Sequence, residues 1–406
     1  MNKHPFNQPT FQDVWSEHFN GSKSSVNYKS IQGVKFYKKS NSTLVNIGKN
    51  ITNGNYYSIN ADEKDYKGKT FIIYDVPSYF EIEAGNNNAL KTKTVRQYKG
   101  FTSQLAEFET FDAFFSAQFK SKSRYKYRRN ISRLEANFDI SYKIFHGDIS
   151  TDEYETLCKF LKKNLQRRFG SLGLDNNIVS KWDYYYDLMY KMVVNKEAVM
   201  TAIYNKDMPI GISFSFLSDS ILLFAITSFD IDYMRYNLGH TSIIKLMQWC
   251  FENGYNVYDF SKGEYIYKDR WTNHDYDYQC HILYDSKSLK ASLTANYYAK
   301  YFKLKQYLRD KKVNRLYTQL KFKLKNKQDF TIQAYNIEKL ESKFDSNNKE
   351  IINLQDEGYA SLRYALYQYL YLNPEKVDAI TCYKDNASGA YYAIGEVNKL
   401  MLTKAD

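Results

Sequence analysis

Tyr255-Asn256-Val257-Tyr258-Asp259-Phe260-Ser261-Lys262-Gly263-Glu264-Tyr265-Ile266-Tyr267-Lys268-Asp269-Arg270-Trp271 opens as a strand and meets a glycine. It then crowds a carboxylate, a phenol, an ammonium and a guanidinium together. Upstream, His240–Glu252 has helical spacing and stops at Asn253-Gly254, a C-terminal cap signal. A loop from Ser228 to Leu238 leads into that helix through Gly239. Before the loop, Ala198–Tyr204, Ile210–Leu217 and Ile221–Thr227 are apolar, β-branched runs joined by Asn/Asp/Pro/Ser turns, the pattern of an antiparallel meander. Earlier still, Ser150-x-x-Glu153 is a capping box opening a helix with Tyr154, Leu157, Cys158, Leu161 and Leu165 on one face, and a second helix covers about 181–194. From Ser141 the order is therefore strand, helix, helix, three strands, helix, strand. It predicts an α/β (α+β) domain over 140–286, a mixed sheet flanked by helices.

That order places a site. A strand feeding a loop and then a helix start presents free backbone N–H groups and the positive end of a helix dipole, which favours a phosphate. Gly239 lets such a ligand approach the backbone closely. Asn237, His240 and Thr227 border the same position. The dipole should keep His240 neutral, as a base or a donor.

Charge points the same way. The chain has 406 residues and a net charge of +12, yet Asp329–Asp406 carries a net of −4, so the cations lie in front. They are densest in Lys120–Arg133, with seven basic residues and no acid; Lys122, Lys126, Arg129 and Arg133 share one helical face, suited to an anion. Residues 300–327 hold eleven basic residues against Asp310, with Tyr301, Leu304 and Leu308 at helical spacing: a basic amphipathic segment for anionic lipid, RNA or an acidic carrier protein. The first 118 residues read as β-rich, with Gly33–Tyr37, Leu44–Ile47, Tyr56–Ile59 and Thr70–Asp75 as strands, and 119–139 as a basic helical connector. After 287–328, residues 329–406 read as a small module, a helix near 358–372 followed by a hairpin of 377–383 and 390–397. Four scattered cysteines predict neither a zinc site nor a disulfide framework. With no long apolar run and no signal peptide at the N-terminus, the expected location is cytoplasmic.

Three segments carry a resemblance. Lys122–Leu134 resembles the "KSRxxxRRxxRxL" helix of the CelD/BioF-like acetyltransferases of the GNAT superfamily, relatives of the FemABX aminoacyltransferases. Tyr236-Asn237-Leu238-Gly239-His240 through Trp249 resembles their "YxPGHLLLxxLIxW", and Tyr258–Trp271 their "YDFxRGDExYKxRW". Pro9-Thr10-Phe11, Trp15 and Phe19 resemble the family's start, so the likeness spans about 9–285. The chain departs from the usual (Q/R)xxGx(G/A) phosphate loop: Arg235 stands four residues before Gly239, and His240 replaces the second small residue.

The resemblance implies tandem GNAT-like halves and direct acyl transfer from acyl-CoA (acetyl-CoA) or an acyl carrier protein thioester, without a metal. The acceptor would be an amine or hydroxyl of a small molecule, such as an amino sugar or amino acid in cell-envelope or polysaccharide synthesis. On that reading Glu264 is the expected base, Tyr267 the acid for the leaving group, and Asp259 or His240 an orienting or alternative catalytic group. Lys268 and Arg270, two apart in an extended stretch, share a face for an anionic acceptor, with Arg168 as a further contact. Two alternatives stay open: a tRNA-dependent aminoacyltransferase gripping RNA with its basic stretches, and a non-catalytic RNA- or membrane-binding module on the same fold.

Overall fold

The computed structural model describes residues 4–19, 25–49, 51–52, 54–82, 89–171, 176–311, 333–341 and 344–405. The N-terminal half begins with helix α1 (Pro9–Phe19). It continues with strands β1 (Val26–Tyr28), β2 (Ile31–Lys38), β3 (Thr43–Asn46), β4 (Ser58–Ile59), β5 (Thr70–Pro77) and β6 (Leu90–Gln104). Helices α2 (Phe111–Gln118) and α3 (Ser121–Asn137) then lead to β7 (Ile140–Phe145), α4 (Thr151–Ser171) and α5 (Trp182–Val194). The expected meander follows as β8 (Ala198–Asn205), β9 (Met208–Leu217) and β10 (Ile221–Phe229), then α6 (Leu238–Glu252), β11 (Val257–Lys262), α7 (Ile266–Trp271), β12 (His274–Asp285) and α8 (Leu289–Asp310).

One mixed sheet runs β1-β2-β3-β5-β12-β6-β11-β10-β9-β8-β7, with β4 beside β2. Strands β8 to β10 are antiparallel neighbours, the expected meander; β7 pairs antiparallel with β8 at one end, and β11 joins β10 in parallel. The central strands β8 and β9 are buried along almost their whole length because helices cover both faces. Leu157, Leu161, Leu188 and Met192 of α4 and α5 pack with Met200, Phe214 and Leu223 on one face. Phe115, Tyr127, Ile243 and Met247 pack with Leu222, Tyr258 and Phe260 on the other. Leu222 and Leu223 thus point into different cores, as alternation along a strand requires.

The two halves share that sheet. β12 pairs antiparallel with β5 and β6, so residues 274–285, expected in the second domain, build the first half instead. A boundary at 286 does not separate two sheets. β6 then pairs with β11 and closes the seam between the halves.

After α8 come β13 (Tyr335–Lys339), β14 (Lys349–Ile352), α9 (Ala360–Leu370), β15 (Thr381–Asp385), β16 (Tyr391–Ile394) and β17 (Lys399–Lys404). They form a second sheet in the order β13-β17-β16-β15-β14, in which the expected hairpin is β15–β16. This module packs Leu366, Leu370 and Tyr367 on Leu134 of α3, on Phe138 just past its end, and on Tyr233 and Tyr236 of the loop before α6. Asp232 in that loop is fully buried. It accepts from Arg167 Nη2 at 3.0 Å and from Arg363 Nε of α9 at 2.7 Å, while Arg167 Nη1 reaches Asp230 at 3.1 Å. Of the expected 300–327 segment, residues 312–327 lie outside the described residues. No described helix is long and apolar enough to cross a membrane.

Candidate functional site

β10 and β11 are paired only from Ile221↔Val257 to Leu223↔Asp259, and beyond that point they part. On its other side β10 slips register between Phe224 and Ile226, a bulge at the fork. Bulges leave a residue out of the ladder and re-aim its backbone groups. Ser261, held at φ +60°, donates its Oγ–H to the Phe224 carbonyl at 3.1 Å and pins the fork. At the mouth, Arg168 from the end of α4 lies over the Phe229 ring, 5.4 Å from its centre. Tyr267 at the start of α7 is half-buried. Burial first, then Tyr265, pushes its phenol up to about 12 against the pull of Arg168, so it holds its proton at neutral pH.

A second feature adjoins the start of α6. A cavity of about 580 Å³ is lined by Lys120, Lys122 and Lys126 of the basic segment, Asp269 and Arg270 of α7, and Asn130, Asn237 and His240. Asn130 is 2% exposed; its Oδ1 accepts from the Tyr371 hydroxyl at 2.6 Å, and its Nδ2 has no partner among the described residues. A buried N–H₂ without an acceptor costs about 1–3 kcal/mol. Asn237, at φ +55°, turns the chain into α6.

His240 completes the wall. Its Nδ1 accepts from Trp271 Nε1 at 2.9 Å, so the neutral ring carries its own proton on Nε2. Burial, then the charges of Arg270 and Lys126, lower its pKa to about 4. His240 is therefore a hydrogen-bond donor at neutral pH and not a base. Unfolded, the same ring titrates near 6.5, so between about 6.5 and 4 the unfolded chain takes up a proton that the folded one refuses. Its contribution to stability is complete above that window and falls as pH drops through it. His240→Gln should accordingly lose less melting temperature than the wild type between about pH 6.5 and pH 4, as read by calorimetry.

The structure redistributes the other candidates. Lys122 and Lys126 face the cavity, but Arg133 donates to the Tyr371 carbonyl and Arg129 to its hydroxyl at 3.4 Å, so those two hold the C-terminal module. Residues 266–271 are helical, not extended, and Lys268 and Arg270 part company. Lys268 is buried, donating to the carbonyls of Ser261 at 3.1 Å and Lys262 at 2.9 Å; burial lowers its pKa to about 8. It braces the turn and does not reach an acceptor, whereas Arg270 is exposed at the cavity. Asp259 is fully buried, accepting from Tyr79 and Tyr276 hydroxyls at 2.9 and 2.7 Å and from the Ser261 N–H at 2.6 Å. Burial raises it to about 6 in spite of those bonds, and with no exposed edge it orients the seam.

Glu264 is exposed just past Gly263, which sits at φ +106°. Thr227 is occupied within the sheet, its Oγ1 3.3 Å from the Ile212 carbonyl and 3.1 Å from Ser213 Oγ. At Gly239 an added Cβ would meet Phe229 ring carbons at 3.3 and 3.7 Å, so Phe229 is the tight neighbour of that position. Sequence reasoning missed Asn130, the bulge beside Ala225 and Ser261. Asn130 sits inside the basic segment, and only its direction distinguishes it.

Residues 121–269 match the family model of the acetyltransferase (GNAT) domain. No curated protein sequence matches the chain. Among solved structures, FemX is 11% identical, covering 72% of this chain and 94% of its own at a TM-score of 0.44. L-PGS from Bacillus licheniformis is 13% identical, covering 72% and 97% at 0.39. PaiA N-acetyltransferase from Thermoplasma acidophilum, solved with coenzyme A, is 12% identical, covering 35% and 98% at 0.26.

Proposed function

From the GNAT-type acetyltransferase domain at residues 121–269, we propose that the chain is an acyltransferase whose donor anchors a phosphate group in the cationic cavity at the start of α6. The donor's acyl end would enter the fork between β10 and β11. The observation that carries this reading is the cavity wall. Lys122, Lys126 and Arg270 supply positive charge and His240 Nε2–H supplies a donor in one concave surface, which Asn130 also lines. The donor set fits the pyrophosphate of an acyl-CoA, which would supply a thioester; a carrier-protein phosphopantetheine and an aminoacyl-tRNA offer the same anion. The acceptor is an amine or hydroxyl of a small molecule.

Glu264 takes the proton as the acceptor nitrogen or oxygen bonds to the acyl carbon. The backbone N–H of Ala225, the residue that the bulge leaves out of register with β9, would receive the negative charge gathering on the carbonyl oxygen. Tyr267 gives its proton to the sulfur or oxygen that departs as its bond to the acyl carbon breaks. His240 and Asp259 are set aside as bases, because each already accepts fixed hydrogen bonds.

The test is binding first and turnover second. Native mass spectrometry should find one of acyl-CoA, acylated carrier protein or aminoacyl-tRNA on the purified chain. If none binds and none is consumed, the fold serves as a non-catalytic module. With the donor known, Glu264→Gln should lower kcat by about 10²–10⁴-fold with little change in donor affinity. Full turnover in that variant would remove Glu264 from the mechanism.

A further inference from the structure

α8 has two apolar faces. Ala291, Ala295, Ala299 and Phe302 are buried against the sheet. On the opposite side Leu289, Leu293, Tyr297, Tyr301, Leu304 and Leu308 follow one another three or four residues apart, and they are 76, 61, 64, 47, 59 and 41% exposed. A surface helix ordinarily gives its outward face to polar residues, and a contiguous apolar stripe of this length marks a contact surface. The helix is 22 residues long, so the stripe extends about 30 Å.

We propose that this outer face of α8 docks the protein on an anionic lipid surface. The charges choose the occupant. At 100° per residue Lys290, Lys300 and Lys311 fall within the stripe itself, and all three are exposed. The helix's acid, Asp310, lies off the stripe and is bound by Arg96 at 3.0 Å. A second copy of the same face would set lysines against lysines. An RNA would satisfy the lysines and leave six leucines and tyrosines in water. A bilayer interface satisfies both: leucines enter the acyl boundary, tyrosines sit at the headgroups and lysine stems reach up to the phosphates. Because α8 runs beside β6 and β12, docking would hold the seam between the halves close to the membrane and suit an acceptor presented there.

The experiment is co-sedimentation of the full chain with vesicles of phosphatidylcholine alone and of phosphatidylcholine mixed with phosphatidylglycerol. The wild type should bind the anionic vesicles and bind the neutral ones far less. Leu293→Ser with Leu304→Ser should weaken binding to anionic vesicles about tenfold or more. Both side chains are exposed, so melting should be unchanged. Lys300→Gln with Lys311→Gln should reduce the preference for anionic lipid and its sensitivity to salt. Three results would overturn the proposal. The first is no binding to anionic vesicles. The second is binding that the serine pair leaves intact, as an RNA-type electrostatic surface would give. The third is a concentration-dependent dimer that the serine pair abolishes.

Discussion

Lys126→Glu combined with Arg270→Glu is expected to weaken binding of a phosphate-bearing donor by roughly 100-fold or more, since each hydrogen bond to a charged group contributes about 1.5–3 kcal/mol. The two residues come from different elements, α3 and α7, and meet across the same cavity. Reversing both replaces attraction by repulsion at the place where α6 begins. It also removes the two cations that add to burial in holding His240 neutral, so its pKa should move up from about 4. Lys64→Glu with Lys67→Glu makes the same change in net charge at exposed positions in the N-terminal half and provides the control. Calorimetric titration with acyl-CoA, acylated carrier protein and aminoacyl-tRNA reads the effect. If the cavity pair and the control pair weaken binding equally, the chain attracts its donor by net charge alone and the cavity is not the site.

The largest effect on stability is expected from Asp232→Ala. Asp232 has no exposed surface and accepts from two guanidiniums, Arg167 and Arg363, whose side chains are only 14 and 11% exposed. Removing the carboxylate leaves two confined cations facing each other, a fault that costs about 3–5 kcal/mol when a buried pair is broken from one side. Asp230→Ala should cost less, because Asp230 is more exposed and receives only Arg167 among these cations. Thermal unfolding of the two variants checks the order. The effect should also reach the donor cavity, because Asp232 anchors the loop that turns at Asn237 into α6. A melting temperature for Asp232→Ala equal to that of the wild type would show that the C-terminal module grips the loop by apolar packing alone.

The second half of the sheet was legible because its signals are local. The meander has turns of Asn, Asp and Pro between apolar runs, and α6 ends at Asn253-Gly254. β6 was not legible. Leu90–Gln104 alternates lysine and threonine with few large apolar residues, and its stability comes from pairing with β12, some 180 residues later. Periodicity along the chain does not report a partner that distant. The site was half legible for a related reason. Composition located the cations of α3, but only packing decides which face a cavity and which hold Tyr371. The expectation of an extended 266–271 misplaced Lys268, whose ammonium is turned inward onto the carbonyls of Ser261 and Lys262. Charged Asp269 and Arg270 follow it in sequence, and burial of a lysine beside them leaves no local trace.

The insertion of β12 between β5 and β6 has a consequence for synthesis. A ribosome makes both flanking strands long before the strand that joins them, and at roughly 5–20 residues per second the wait is about 10–35 s. During that interval β5 and β6 offer each other no direct pairing, and their inner edges stand open to wrong partners. The second half must also be largely made, with β11 in place, before the seam can close. Nascent chains arrested before His274 should therefore be protease-sensitive across 70–77 and 90–104, and those strands should become protected only once Asp285 has left the exit tunnel.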